Sequence, residues 1–271
     1  MFNSNRKQKN FFEGRNGFVN LFKERNIMLF LDFDGTLAAI VDHYKSATIL
    51  RESKMLLKQI AKIPECFVTV VSGRALVDVK KRVGLKNIFY AGNHGLEVAG
   101  PGINYTLFVE ADVKRRLRKM HADLVRSVGR IKGVLIENKG LTLSVHYRRV
   151  ADKDFIAFEQ VFLECVWPYI KDQRIDISEG KKVFEIKPDV EWNKGSAVLW
   201  FIKHLRKNNR RQKFLPIFIG DDVTDETVFV ALKDKGLCIR VGCRKTSSAQ
   251  YCLENINQVA RFLKTILNSK L

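Results

Sequence analysis

The sequence predicts an α/β protein in which a doubly wound parallel sheet carries an inserted α+β unit. Three observations lead there. Short all-apolar runs alternate with helical patterns at both ends of the chain, as expected of strands buried on both faces. Polar residues capable of chemistry follow directly on those runs. The middle of the chain reads instead as helix–strand–strand, twice over.

Taken in order, Ile27–Phe33 is the first strand, ended by an Asp-Gly turn. Leu50, Leu56, Leu57 and Ile60 set a helical period that stops before Pro64. Phe67–Val71 is a strand, Ala75–Val83 a helix and Asn87–Ala91 a third strand. Residues 111–129 and 153–171 predict helices, each followed by a strand pair: Val134–Glu137 with Leu141–Tyr147, then Arg174–Ile177 with Lys182–Ile186 turning around Glu179 and Gly180. After a helix over Ala197–Leu205 come a strand at Leu215–Ile219, a helix from Thr224 to Lys233, a strand at Leu237–Val241 and a closing helix at Ile256–Leu267. The expected division is a basic, exposed lead-in over 1–26, a core over 27–107 and 188–271, and an inserted unit over 108–187.

A chain of 271 residues buries about 70–75% of its unfolded surface, enough for a core without staples. Its longest apolar runs are far shorter than the roughly 20 residues of a membrane span, and the first thirty residues lack the apolar stretch of a secretory signal. The net charge is +19, from 48 Lys and Arg against 29 Asp and Glu. It is spread along the chain. Its densest cluster, Lys203, Arg206, Lys207, Arg210, Arg211 and Lys213, has no interleaved aromatics, which argues for a solvated surface and against specific nucleic-acid binding. Cys66, Cys165, Cys238, Cys243 and Cys252 form no Cys-x-x-Cys pair and read as reduced, buried thiols of a cytoplasmic protein.

Four segments carry the chemistry, each at the end of a strand or the start of a helix, where open α/β sheets place their sites. In Asp32-Phe33-Asp34-Gly35-Thr36-Leu37, two carboxylates at i and i+2 leave a strand. One could attack phosphorus while the other moves a proton, although Asp-Gly alone also reads as a plain turn. Val71-Ser72-Gly73-Arg74 offers a hydroxyl, a backbone N–H and a guanidinium to a phosphate, or a simple helix cap. Asn193-Lys194-Gly195-Ser196 opens a helix with a lysine able to neutralise an anion. Gly220-Asp221-Asp222-Val223-Thr224-Asp225-Glu226 crowds carboxylates at the end of a buried strand, where they call for a cation; oxygen ligands suit Mg²⁺.

In this order and spacing the four segments resemble the haloacid dehalogenase-like phosphatases. Further segments narrow the resemblance to trehalose-6-phosphate phosphatases: Gly92-Asn93-His94-Gly95-Leu96-Glu97, Glu137-Asn138-Lys139, His146-Tyr147-Arg148 and Gly180-Lys181-Lys182-Val183-Phe184-Glu185-Ile186-Lys187-Pro188. The resemblance covers about residues 27–260 and implies a Rossmann-like core with a substrate-specificity cap. It implies Mg²⁺-dependent hydrolysis of trehalose 6-phosphate through a phosphoaspartyl intermediate. Asp32 becomes nucleophile and metal ligand, Asp34 general acid/base and, through its carbonyl, a ligand, and Asp221 the third ligand. Ser72 and Lys194 hold the phosphoryl oxygens, and Asp222 and Asp225 orient waters and Lys194. The same resemblance assigns substrate contacts to Gly73, Arg74, Asn93, His94, Glu137, Lys139, Arg148, Lys181, Glu185 and Asp222, with Lys182 competing with Lys181, His94 also readable as structural and His146 mainly so. A trehalose-6-phosphate synthase is expected as a separate chain. The alternatives are a phosphatase for sucrose or glucosylglycerol phosphate, and an inactive module that binds a sugar phosphate.

Overall fold

A computed structural model describes residues 8–14, 16–208 and 212–271. Arg210 and Arg211 of the basic cluster, and residues 1–7 of the lead-in, lie outside the described residues. The chain divides into two compact units, one formed by residues 1–106 and 192–271, the other by 107–191.

The larger unit begins with a two-residue strand β1 (Lys9–Asn10), helix α1 (Asn16–Glu24) and strand β2 (Asn26–Leu31). Helix α2 (Arg51–Ile60), strand β3 (Cys66–Val71), helix α3 (Leu76–Val83) and strands β4 (Phe89–Gly92), β5 (Glu97–Gly100) and β6 (Ile103–Thr106) follow. The smaller unit holds helix α4 (Ala111–Ser127), strands β7 (Leu135–Asn138) and β8 (Leu143–His146), helix α5 (Asp152–Ile170) and strands β9 (Ile175–Gly180) and β10 (Val183–Pro188). The chain returns to the larger unit with α6 (Lys194–Asn208), β11 (Phe214–Gly220), α7 (Glu226–Ala231), β12 (Leu237–Val241), β13 (Tyr251–Leu253) and α8 (Ile256–Lys270).

The larger sheet runs β1-β13-β12-β11-β2-β3-β4-β5-β6. It is parallel from β1 to β4 and antiparallel over β5 and β6. From β2 the chain winds one way to β3 and β4; after the inserted unit it winds the other way from β11 to β12 and β13. The order therefore reverses between β2 and β11, the position at which open α/β sheets form a crevice at their carboxyl ends. Ile27 to Leu31 are fully buried, as the unbroken apolar run predicts.

Three expectations need correction. The β5–β6 hairpin was not anticipated, although Pro101-Gly102 marks it; Gly102 has φ +70°, as the third residue of a type II turn requires. The lead-in is not merely exposed. Phe11 and Phe22 are fully buried, Phe11 lies 4.8 Å ring to ring from Phe262 of α8, and β1 pairs with β13. Phe18 and Phe22 stand four residues apart on α1, and the Phe18 ring lies 5.0 Å from that of Phe11, which precedes the helix; this apolar packing offsets the cost of ordering the segment. Finally, Cys243 and Cys252 form a disulfide, so only Cys66, Cys165 and Cys238 are thiols. The pair stands nine positions apart in sequence, but β12 and β13 lie side by side and bring its ends together. The cysteines therefore no longer argue for a reducing compartment. Among the described residues, no helix is long and apolar enough to cross a membrane.

In the smaller unit the sheet order is β7-β8-β10-β9, all antiparallel. Val113, Leu117, Met120 and Leu124 of α4, and Phe158, Phe162 and Val166 of α5, are buried at helical spacing. Phe162 stacks on Phe184 of β10 at 4.3 Å. The alternation in β10 buries Phe184 and Ile186 and turns Glu185 to the opposite face. Strand β9 runs on through Gly180, so the turn lies at Lys181-Lys182 rather than at Glu179-Gly180.

Replacing Phe22 by Ala should destabilise the protein by about 3–5 kcal/mol, the usual cost of a deleted core phenylalanine. Urea denaturation measures this. A loss below ~1 kcal/mol would mean that the N-terminal segment does not belong to the core.

Candidate active site

The larger unit brings the ends of β2, β3, β4 and β11 together. Asp32 follows β2, is 4% exposed, and its N–H donates to the Ile219 carbonyl of β11 at 2.9 Å. Gly35 then takes φ +80°. A Cβ there would lie 2.2 Å from Asp221 Oδ2, so only glycine lets the Asp221 carboxylate approach this turn.

Lys194 opens α6. Asn193 supplies the cap, its Oδ1 accepting from Ser196 N at 3.1 Å. Gly195 lets α6 pack against the chain at Thr227, whose carbonyl oxygen would lie 2.5 Å from a Cβ at that position. Thus held, the Lys194 ammonium is 3% exposed and lies 2.8 Å from both Asp32 Oδ1 and Asp225 Oδ1. The other oxygen of Asp225 accepts the N–H groups of Asp221 and Asp222, each at 2.9 Å, while the Asp222 side chain accepts from the Asp225 N–H. This reciprocal box shapes the acidic loop.

Oxygens of Asp32, Asp221 and Asp225 lie within 4.8 Å of one another, and all three residues are buried. Burial pushes the Asp32 carboxyl well above its usual range, Lys194 pulls it back, and the Asp225 and Asp221 carboxylates add to the rise. Burial works against the Lys194 ammonium, but Asp225 and Asp32 overcome it and its pKa is raised. Three buried acids against one lysine leave an excess of negative charge. The all-oxygen donor set and this imbalance both fit a hard divalent cation such as Mg²⁺.

The second aspartate is arranged differently from the sequence expectation. Arg74 Nε and Nη2 donate to Asp34 Oδ2 and Oδ1, both at 2.7 Å, Nη1 donates to Asp78 at 2.9 Å, and Nη2 also reaches the Tyr44 carbonyl at 2.9 Å. Arg74 was expected to grip a phosphate. Instead its fork is closed on Asp34, because a guanidinium 7% exposed needs its partners within the protein. Asp78, which also accepts from Arg82, was not singled out, although the spacing of Arg74, Asp78 and Arg82 is the i,i+4 signal of a helical ion ladder.

Ser72 is 1% exposed and its Oγ accepts from Arg74 N at 3.2 Å, so its hydroxyl hydrogen points elsewhere. A Cβ on Gly73 would meet the His94 imidazole at 2.6 Å, which places His94 against the Ser72 loop. Asn93 and His94 both adopt positive φ, 50° and 56°. Asn93 N donates to the Arg74 carbonyl at 2.7 Å, and its side chain bonds Glu97.

The sugar-contact candidates stand on the smaller unit. Glu137, Ser144, Glu185 and Ser178 face one another in one cross-strand row. Lys139 Nζ lies 3.1 Å from Glu185 Oε2, which also accepts from Ser144 Oγ at 2.8 Å. His146 Nε2 lies 3.2 Å from Glu137 Oε2 and so holds that carboxylate, a contact compatible with the structural role expected of it. Ser144 was missed; a small hydroxyl residue within an apolar strand was its signal. Arg148 Nη2 donates to the Lys181 carbonyl at 2.7 Å. Lys181 is half-buried, whereas Lys182 is exposed and takes φ +64° at the turn. On α6, Trp200 stacks on Tyr105 at 5.1 Å and on His204 at 5.2 Å, so aromatic rings do lie among the basic residues, each already in contact with another ring.

Lys194→Met should cost about 3–5 kcal/mol at pH 8, the penalty for stranding buried carboxylates. An acid whose folded pKa is raised costs stability as pH climbs above its unfolded value, so the deficit should shrink at pH 5. Urea titrations at the two pH values test this; an equal deficit would mean that Lys194 acts by packing alone.

The trehalose-phosphatase family model matches residues 30–257. The probable trehalose-phosphate phosphatase G of Arabidopsis thaliana is 35% identical over 269 residues, covering 90% of this chain and 70% of that protein. The trehalose-phosphate phosphatase of Mycobacterium marinum is 36% identical over 240 residues, covering 86% of this chain and 60% of that protein. The solved C-terminal domain of C. albicans trehalose-6-phosphate phosphatase superposes with a TM-score of 0.80 at 21% identity, covering 98% of this chain and 99% of that one. The fold is thus haloacid dehalogenase-like, and the chain belongs to the trehalose-phosphatase family and so to the phosphoric monoester hydrolases.

Proposed function

We propose that the chain hydrolyses trehalose 6-phosphate to trehalose and inorganic phosphate, with Mg²⁺, through a phosphoaspartyl intermediate on Asp32. The observation that carries this reading is Lys194, bridging Asp32 and Asp225 at 2.8 Å each beside Asp221, at the reversal of strand order. Asp32, Asp221 and the Asp34 main-chain carbonyl are assigned to the cation. When bound, Mg²⁺ would offset the carboxylate charge and polarise the phosphoryl group.

In the first step an Asp32 carboxylate oxygen forms the bond to phosphorus as the phosphorus–sugar oxygen bond breaks. Asp34 supplies the proton that the departing oxygen takes up. In the second, water attacks the aspartyl phosphate, Asp34 takes the water proton, and Asp32 is released as a carboxylate. The Arg74 fork holds both oxygens of Asp34. To pass a proton to or from the reacting oxygens, Asp34 must free an oxygen from that fork. The Ser72 hydroxyl and Lys194 are assigned to the phosphoryl oxygens, and His94, Asn93, Gly73 and Asp222 to their surroundings. Arg74 acts through Asp34.

Glu137, Lys139, Glu185, Arg148 and Lys181 are assigned to the sugar. Held carboxylates suit a disaccharide rich in hydroxyl donors. The reading includes a separate synthase chain as supplier of the substrate and a cytoplasmic setting, though the disulfide removes the cysteine argument for the latter.

Phosphate release should be measured with Mg²⁺ from trehalose 6-phosphate, sucrose 6-phosphate, glucose 6-phosphate and p-nitrophenyl phosphate. Trehalose 6-phosphate should be preferred, and both Asp32→Asn and chelation should reduce turnover by at least about a thousandfold. Glu185→Gln should raise KM about tenfold or more with a smaller effect on kcat, the pattern of a lost binding contact. Preference for another sugar phosphate would overturn the sugar assignment alone. No turnover of any ester by metal-loaded protein would favour the inactive sugar-phosphate binder.

A further inference from the structure

A buried guanidinium lies beside the acidic loop, and neither the sequence motifs nor the reaction above uses it. Arg240 is 2% exposed in β12, whose other residues, Leu237, Cys238, Ile239 and Val241, are apolar and buried. Strand β12 runs parallel to β11 with Arg240 opposite Gly220, the residue just before Asp221. From there Nη2 donates to the Asp221 carbonyl. Nη1 donates to Glu226 Oε1 at 2.9 Å and reaches the Asp222 carbonyl at 3.4 Å. Glu226 is itself fixed, its second oxygen accepting from Ser248 N at 2.8 Å.

A charge within a buried strand is costly and is offset only by well-formed partners. An aliphatic residue would fill this strand position without that cost. What the arginine adds is a hold on two successive carbonyls of the loop that carries Asp221 and Asp222. Those residues sit among acids that repel one another, so the loop is pushed apart wherever nothing ties its backbone.

We propose that Arg240 is a positioning residue for the metal site. By holding the Asp221 and Asp222 carbonyls, it keeps the Asp221 carboxylate converged on Asp32 and so lowers the ordering cost of cation binding. The inference rests on the reading of Asp32 and Asp221 as Mg²⁺ ligands. Geometry and charge act in opposite senses here. The arginine's positive charge repels a cation, whereas its fork organises the cation's ligands, and substitutions separate the two effects.

Arg240→Lys keeps the charge and loses the fork. Arg240→Met loses both. Glu226→Gln keeps the arginine but removes the carboxylate that aims it, and serves where a substitution at 240 does not fold. Isothermal titration of Mg²⁺ into substrate-free protein gives Kd directly, and the rise in Tm with Mg²⁺ gives it independently. Arg240→Lys should weaken Mg²⁺ binding about tenfold, and Glu226→Gln by a smaller factor. Asp221→Asn should abolish binding.

If Arg240→Lys and Glu226→Gln lower the Tm of the metal-free protein but leave Kd unchanged, Arg240 is purely structural and the proposal is overturned. Tighter binding in Arg240→Met with unchanged binding in Arg240→Lys would show charge acting alone, which also overturns it. A wild-type protein that takes up no Mg²⁺ at all would refute the metal reading itself, and the inference with it.

Discussion

The larger unit is organised around an uneven charge balance: three carboxylates buried within 4.8 Å of one another, with one lysine between two of them. Water would screen such a cluster, but here the sheet excludes it. Each acid must therefore be compensated by something the fold holds in place. Asp225 is fully compensated, by Lys194 and by two backbone amides, and it serves as the keystone of the loop. Asp32 shares the same lysine. The lysine in turn depends on the Asn193 cap and on the close packing that Gly195 permits, so the local chemistry of one helix start sets the charge state of the site. The negative excess that remains is what would favour the cation of the function proposed above.

Two buried guanidiniums show how the surroundings share this load. Arg74 binds a side chain, closing both oxygens of Asp34 in its fork. Arg240 binds main chain, at the carbonyls of Asp221 and Asp222. The first fixes where the Asp34 carboxylate rests; the second fixes the course of a loop. Each is balanced by a further carboxylate, Asp78 for Arg74 and Glu226 for Arg240, so that neither buries an unpaired charge. Arginine suits both tasks because its donors are fixed in a plane, and a lysine would satisfy only one acceptor direction at a time.

What could be read from the sequence follows from this arrangement. The strands that carry the site are buried on both faces and write themselves as mainly apolar runs, so β2, β3, β11 and β12, and the polar residues after them, were legible. The strands that escaped notice lie near the sheet edges, where two to four residues make too short a pattern: β1, β5, β6 and β13. Contacts between distant segments were also invisible, because periodicity reports only neighbours. The disulfide between adjacent strands, the closing of Arg74 on Asp34 and the docking of Phe11 on Phe262 all belong to that class. Arg240 did leave a trace, as the single charge in an apolar strand, but a lone charge does not say what it holds.

The polar row of the smaller unit shows how specificity can be built from so few residues. Glu137 and Glu185 stand in one row with Ser144 between them, on strands spaced about 4.8 Å apart. Each carboxylate is held separately, Glu137 by His146 and Glu185 by Lys139 and Ser144. A held carboxylate loses little further freedom when it accepts a sugar hydroxyl, so the cost of ordering is met on folding rather than on binding. It also cannot turn aside for a ligand that lacks a matching hydroxyl. On the function proposed above, the wrong sugar would leave a desolvated acceptor without a donor, and such unpaired groups discriminate far more strongly than a missing apolar contact does. The row would select its sugar through what a mismatch leaves unsatisfied.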